Sequence, residues 1–188
     1  MVTNKQTQAN YWKYSWAKKI DLYLLKFPLI RTILRQAFIK LQSSNNRRKV
    51  KGTNNQIHIN ESILKNTRID IYGNDNIIEI KSQTIIDNLT FHIRGSGHHV
   101  SIGSNCRFNE GGTIWIEDEG CRLIVGENTL ILNAHISLTE SNSSIEIGKN
   151  CMLSSDIDIR SGDSHSIIDL ATGKRINYAS NIKIEDHV

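Results

Sequence analysis

The sequence predicts an all-β chain wound into a left-handed parallel β-helix of hexapeptide repeats, preceded by an N-terminal helical segment. Three observations carry this. An apolar–x–apolar pair, a polar turn and a second such pair recur as Ile69-Asp70-Ile71 to Ile78-Glu79-Ile80, Phe91-His92-Ile93 to Val100-Ser101-Ile102, Ile114-Trp115-Ile116 to Leu123-Ile124-Val125, and Ile136-Ser137-Leu138 to Ile145-Glu146-Ile147. The gap across the turn is constant at nine residues: 71 to 80, 93 to 102, 116 to 125 and 138 to 147. Successive copies fall 22, 23, 22 and 21 residues apart, at positions 71, 93, 116, 138 and 159. A fixed period of this length is the mark of a solenoid, in which each coil buries its apolar face on the next.

Within each coil a finer period of six appears, in Ile102, Phe108 and Ile114 and again in Ile147, Leu153 and Ile159. Six residues make one short strand and one turn, and three such units close a triangular coil. Gly-x-Asn follows the strand at Gly103–Asn105, Gly126–Asn128 and Gly148–Asn150, as corners with unusual backbone angles require. The extra residues of each coil fit hairpin-like turns at Gly73–Asn76, Gly95–His98, Glu117–Gly120 and Glu140–Ser143. Coils stack about 4.8 Å apart, so Cys106 and Cys151, two coils from each other, are too distant for a disulfide and serve as core fillers.

The chain has 188 residues and a net charge of +4, unevenly spread. Residues 1–51 carry Lys5, Lys13, Lys18, Lys19, Lys26, Arg31, Arg35, Lys40, Arg47, Arg48, Lys49 and Lys51 against the single acid Asp21, and the remainder is net acidic. Residues 1–45 form a basic amphipathic arm. Within 10–42 one or two helices are expected, with Pro28 in the first turn of the second and an apolar face of Ile20 and Leu24, then Ile30, Ile33, Leu34, Ala37, Phe38 and Leu41. That face either packs on the β-helix or a neighbouring subunit, or lies on an anionic membrane. No groove-reading or stacking motif accompanies the charge, so nucleic acid is not an expected partner. No span approaches a transmembrane length and the start lacks a signal-peptide layout, which places the chain in the cytoplasm.

The β-helix is expected over 50–188, with one interruption. After Ile159 the next equivalent strand arrives only at Ile182–Ile184, so residues within 161–179 leave the coil as a loop. A solenoid that breaks its period usually spends the loop on function. The loop holds Arg160-Ser161-Gly162-Asp163-Ser164-His165-Ser166-Ile167, and later Arg175, Ile176 and Asn177. A histidine near its ordinary pKa of about 6.5 suits general-base work at neutral pH. Ser161-Gly162-Asp163-Ser164 is not a nucleophile elbow. His98 and His99 are adjacent and point to opposite faces of a strand, and the three cysteines have no ligand spacing, so no metal is expected.

Ile-Arg-Ser-Gly-Asp-Ser-His-Ser-Ile, then a loop, Arg-Ile-Asn and Ile-Lys-Ile-Glu-Asp-His-Val, resembles the bacterial hexapeptide-repeat acyltransferases, most of all the sugar and polysaccharide O-acetyltransferases. The strong part covers about 120–188 and the repeat carries it back to about 50. The resemblance implies transfer of an acetyl group from acetyl-CoA to a sugar or glycan hydroxyl, with His165 as the catalytic base. It also implies a homotrimer, with the groove between neighbours holding acceptor and CoA. Asp163 either orients the His165 ring or makes its own turn. Asn133 and His135, read as turn residues one coil before the loop, are candidates to position the acceptor. Arg160 either meets an anionic group of a substrate or pairs with Asp158 or Asp163. The cofactor-binding residues stay unassigned. In similar proteins Glu185-Asp186-His187-Val188 is followed by Trp-Ile-Gly and further coils that supply much of the CoA groove. A truncated, non-catalytic β-helix, a trimeric scaffold or remnant, is therefore the competing expectation.

Overall fold

The computed structural model describes residues 28–163 and 165–188. One helix, α1, runs Pro28–Gln42, with Pro28 in its first turn and Lys40 in its last. Leu29, Ile33, Phe38 and Leu41 are exposed on it. The expected helical residues 10–27 lie outside the described residues. No described helix is long and apolar enough to cross a membrane.

The rest is a parallel β-solenoid of three sheets, each built from every third strand. The first sheet stacks β1 (Arg47–Lys51), β4 (Arg68–Tyr72), β7 (Leu89–Arg94), β10 (Gly112–Ile116), β13 (Ala134–Leu138) and β16 (Ile157–Arg160). The second stacks β2 (Gln56–Ile59), β5 (Ile77–Ile80), β8 (His99–Ile102), β11 (Arg122–Val125), β14 (Ser144–Ile147) and β17 (Ile182–Ile184). The third stacks β3 (Ile63–Lys65), β6 (Ile85–Asp87), β9 (Arg107–Phe108), β12 (Leu130–Ile131) and β15 (Met152–Leu153). Strands on either side of a turn such as Gly73–Asn76 belong to different sheets and do not pair. The turns expected to resemble hairpins are therefore the corners of the coil.

Register turns the sequence period into a core. Ile71, Ile93, Ile116 and Leu138 pair in one ladder, and Ile80, Ile102, Val125, Ile147 and Ile184 in another. From Ile71 to Ile147 every one of these is buried. Each contributes roughly 1.5–3 kcal/mol of transfer free energy.

The corners carry a second system that the apolar pattern does not reveal. At one corner Ser62, Thr84, Cys106, Thr129 and Cys151 stack as a buried polar column. Thr84 donates from Oγ1 to the Gly103 carbonyl at 2.8 Å and accepts from the Cys106 N–H at 3.2 Å. Thr129 repeats this with the Gly148 carbonyl at 2.9 Å and the Cys151 N–H at 3.3 Å. Cys106 and Cys151 are free thiols whose Sγ groups donate to Gly126 O and Glu185 O. They fill the core and also satisfy corner carbonyls that would otherwise be buried without a donor. Burial pushes the Cys106 thiol up, so it stays protonated to donate.

At the next corner Asn76, His98 and Cys121 do the same. His98 is buried; its Nδ1 accepts the Cys121 N–H at 3.1 Å while Nε2 reaches the Arg94 carbonyl at 2.9 Å, which fixes the tautomer with the proton on Nε2. Burial holds its pKa below the usual value and keeps the ring neutral. His99 faces outward beside Glu79, so the two histidines do point apart.

The Gly-x-Asn corners divide the labour differently from the expectation. The asparagines take the left-handed conformation, with φ of 57° at Asn105, 60° at Asn128 and 55° at Asn150. Asn105 also donates to the Asn128 side chain at 2.8 Å. The glycines are there for closeness: a Cβ on Gly126 would lie 2.5 Å from the Gly148 carbonyl carbon of the next coil.

Ile147, 2% exposed and enclosed between Val125 and Ile184, tests the inside/outside assignment. Ile147→Asp buries an unpaired carboxylate and should cost roughly 4 kcal/mol or more, unfolding the coil domain by circular dichroism. A soluble variant with an unchanged melt would contradict the assignment.

Candidate active site

The loop leaves the first sheet at Arg160 and returns to the second at Ile182. Its mouth continues the coil ladder: Ser161 N–H donates to Ser137 O at 3.0 Å, and Ser180 N–H donates to Ser161 O at 2.8 Å. Ser161 is buried, and its hydroxyl donates to the Ser143 hydroxyl at 3.2 Å. Between these points the chain folds back on itself. Ile176 N–H donates to Ile167 O and Asp169 N–H to Lys174 O, both at 2.9 Å. Asp169 closes the tip by accepting from Ala171 N–H, and this bond holds its carboxyl below the usual range.

His165 stands exposed at the base of this excursion. Its backbone is held by Asn177, whose Nδ2 donates to His165 O at 2.6 Å while its Oδ1 accepts from Ile167 N–H at 2.7 Å. Asp163 Oδ1 accepts from the His165 backbone N–H at 3.4 Å. The carboxylate thus makes the local turn that was one of its two readings; the contact is to the backbone and not to the ring.

Arg175 ties the loop to the coil. Its Nη2 pairs with Glu140 Oε1 and donates to Asn177 O at 2.9 Å, and its Nε donates to Asn177 Oδ1 at 3.2 Å. Glu140 Oε2 also accepts the Ala179 N–H at 3.1 Å. That backbone donor first, and the Arg175 guanidinium second, hold the Glu140 carboxyl below its ordinary pKa. The guanidinium sits 5.1 Å from the centre of the Tyr178 ring. A cleft of about 260 Å³ opens here, lined by Glu117, Asp118, Thr139, Glu140, Asp163, Ser166 and Arg175. The Thr139 hydroxyl is buried against it without a hydrogen-bond partner among the described residues.

The other candidates lie elsewhere. His135 was expected in a turn but sits inside β13, because Ala134 and Ile136 on either side of it join the inward columns. Its neighbours across the ladder are Thr113 and Asp158. Asn133 donates to Glu110 O at 3.4 Å, at the start of the strand, whereas the loop departs from the far end of β16. Arg160 takes the paired option: its Nε donates to both oxygens of Asp158 at 2.9 Å, which lowers the Asp158 pKa and raises its own. The sequence reading missed Glu140, and quoted Arg175 and Asn177 without a role. The ladder held the signal. Ser137 pairs with Arg160, so two and three residues further along, Thr139 and Glu140 must lie under Gly162 and Asp163.

No protein-family model matches the chain. It is 31% identical over 138 residues to a polysialic acid O-acetyltransferase of Neisseria meningitidis, covering 73% of this chain and 63% of that protein. A second polysialic acid O-acetyltransferase, from Escherichia coli O1:K1 / APEC, is 33% identical over 73 residues, 39% of this chain and 24% of that one. The chain thus spans less than two thirds of the length of either relative. Among solved structures, the polySia-specific acetyltransferase NeuO superposes with a TM-score of 0.68 at 25% identity, over 76% of this chain and 65% of that one.

Arg175→Leu leaves Glu140 without its charge partner and frees Asn177. With both side chains only about a fifth exposed, the loop should open locally more often. Trypsin cleavage after Lys174 then speeds up roughly tenfold or more with coil ellipticity unchanged. Because the Glu140 pKa is lowered by folding, its contribution is present above about pH 4.5 and fades as pH falls through the lowered value. Native-rate cleavage of the variant at pH 7 would show that the pair does not hold the loop.

Proposed function

The chain fits a hexapeptide-repeat O-acetyltransferase, and we propose that it serves the transfer of an acetyl group from acetyl-CoA to a hydroxyl of a sugar or glycan. The observation that carries this reading is His165, exposed on the one loop that breaks the coil period and held through its backbone by Asn177. The names of the relatives supply the reaction class and a glycan acceptor.

In this reading the neutral His165 imidazole takes the proton of the acceptor hydroxyl as its oxygen attacks the thioester carbonyl carbon. The C–S bond then breaks, the acetyl ester remains on the acceptor, and the imidazolium returns its proton to the departing thiolate. Asp163 and Asn177 assist by fixing the backbone on which the imidazole is carried. Arg160, already paired with Asp158, and Asn133 and His135 at the other end of the same sheet, remain candidates for contacts with a longer acceptor. Binding of acetyl-CoA is proposed without assigned residues.

Assembly as a homotrimer belongs to the same reading. Two features support it: the exposed apolar side chains Leu170, Ile176 and Tyr178 on the loop, and an outward column of Ile63, Ile85, Arg107, Leu130 and Met152 on the third sheet, apolar at every rung but Arg107. A neighbouring copy would cover both. The reading places the protein in the cytoplasm, with the basic segment 10–42 meeting the inner face of the membrane.

His165→Ala should lower acetyl transfer from acetyl-CoA to a polysialic acid acceptor by about 10²–10⁴-fold while leaving the melt unchanged. Full activity in His165→Ala would overturn the assignment of the base.

A further inference from the structure

The outward face of the first sheet carries a feature that acetyl transfer at the loop does not use. Across β1, β4 and β7 the outward positions hold five cations, Arg47, Lys49, Lys51, Arg68 and Arg94, and one acid, Asp70. That acid is spoken for, since Arg68 Nε lies 2.5 Å from Asp70 Oδ2. Three of the cations crowd one ring: Lys49 Nζ lies 5.3 Å, Lys51 Nζ 5.8 Å and Arg94 Cζ 5.9 Å from the centre of Tyr72. The Lys49 ammonium beside the Tyr72 hydroxyl draws its pKa below the ordinary value. One or two of these contacts would satisfy the ring. A third cation adds mainly repulsion, which an anion at the same place would relieve.

The next rung up is a flat aromatic surface. His92 and Trp115, partners across β7 and β10, stack with ring centres 4.0 Å apart and planes at 20°. Arg94 Nε donates to His92 Nε2 at 2.9 Å, which fixes the imidazole against Trp115. Partial burial, and then the Arg94 charge, keep that imidazole neutral. Because the ladder is in register, Lys49, Asp70, His92, Trp115, Ser137 and Arg160 form one column. The column ends where the His165 loop begins, two coils or about 10 Å beyond Trp115.

We propose that this strip, from Lys49 and Lys51 through Tyr72 and His92 to Trp115, binds a stretch of anionic polysaccharide outside the catalytic loop and leads it along the column toward His165. The cations meet the carboxylates and the half-buried rings of Tyr72, His92 and Trp115 meet the apolar faces of sugar rings, a combination of charge and stacking suited to a charged polymer of rings. The identity of the polymer as a glycan rests on the acetyltransferase reading. The location of the strip and its preference for anions rest on the ladder alone.

The test is binding without any acyl donor. Fluorescently labelled polysialic acid is titrated by anisotropy against the full chain, Lys49→Gln/Lys51→Gln, Trp115→Ala and His165→Ala, with neutral dextran and oligo-dT as competing probes. The strip variants should each bind at least tenfold more weakly, the lysine pair with a shallower salt dependence, while His165→Ala binds like the native chain. In the transfer assay the strip variants should raise KM for the long polymer but not for a sialic acid dimer, with kcat unchanged. Strip variants that bind polysialic acid as tightly as the native chain would overturn the proposal. So would competition by dextran or oligo-dT as strong as by unlabelled polysialic acid, or a shift in oligomeric state by light scattering, which would make the strip a face between copies. Failure of the acetyltransferase reading shows separately, as transfer that does not depend on His165.

Discussion

The in-register parallel ladder is the constraint from which the rest follows. Each coil repeats the last at a rise of about 4.8 Å, so a residue's place is set by its offset within the period and not by its sequence neighbours. The ladder gathers residues more than twenty positions apart into columns: isoleucines inward, threonines and cysteines at one corner, asparagine, histidine and cysteine at another. The inward columns supply the apolar burial, and the corner columns satisfy the backbone where the chain turns inside the core. Neither suffices alone, since a corner of this kind without its donors would bury carbonyl groups unpaired.

The same constraint makes the candidate site. A loop that leaves the ladder could adopt many conformations, but here both its ends stay in register, at Ser161 on Ser137 and at Ile182 on Ile145. The corner directly beneath presents Glu140, and the loop answers with Arg175 and Asn177. His165 is thereby carried on a short segment whose backbone is bonded to Asn177, itself held by an arginine paired with the coil. Positioning comes from the scaffold, while the imidazole itself stays exposed to meet a substrate.

Much of this was legible in the sequence. The period, the columns, the corner asparagines and the loop all follow from spacing, because a buried ladder allows little slippage. His135 was misplaced because polar Asn133 and the small Ala134 before it look like a turn, although Ala134 joins the inward ladder. The corner hydrogen bonds were hidden because Thr84, His98 and Cys121 are polar or ambiguous residues whose burial shows only when coils are stacked. The Glu140–Arg175 pair joins residues 35 apart across the interruption, where the period no longer predicts contacts. Reading the register forward past Arg160 would have brought Glu140 to the loop, but the choice of Arg175 as its partner depends on how the loop folds back.

The claim that the loop is an ordered part of the scaffold, and not a free excursion from it, is tested most directly by amide hydrogen exchange across the chain. The account predicts slow exchange at the loop amides that donate within it, Ile167, Asp169 and Ile176, alongside the slower coil amides of β4 to β14. Loop amides exchanging at the rate of an unfolded peptide, while the coils remain protected, would contradict it.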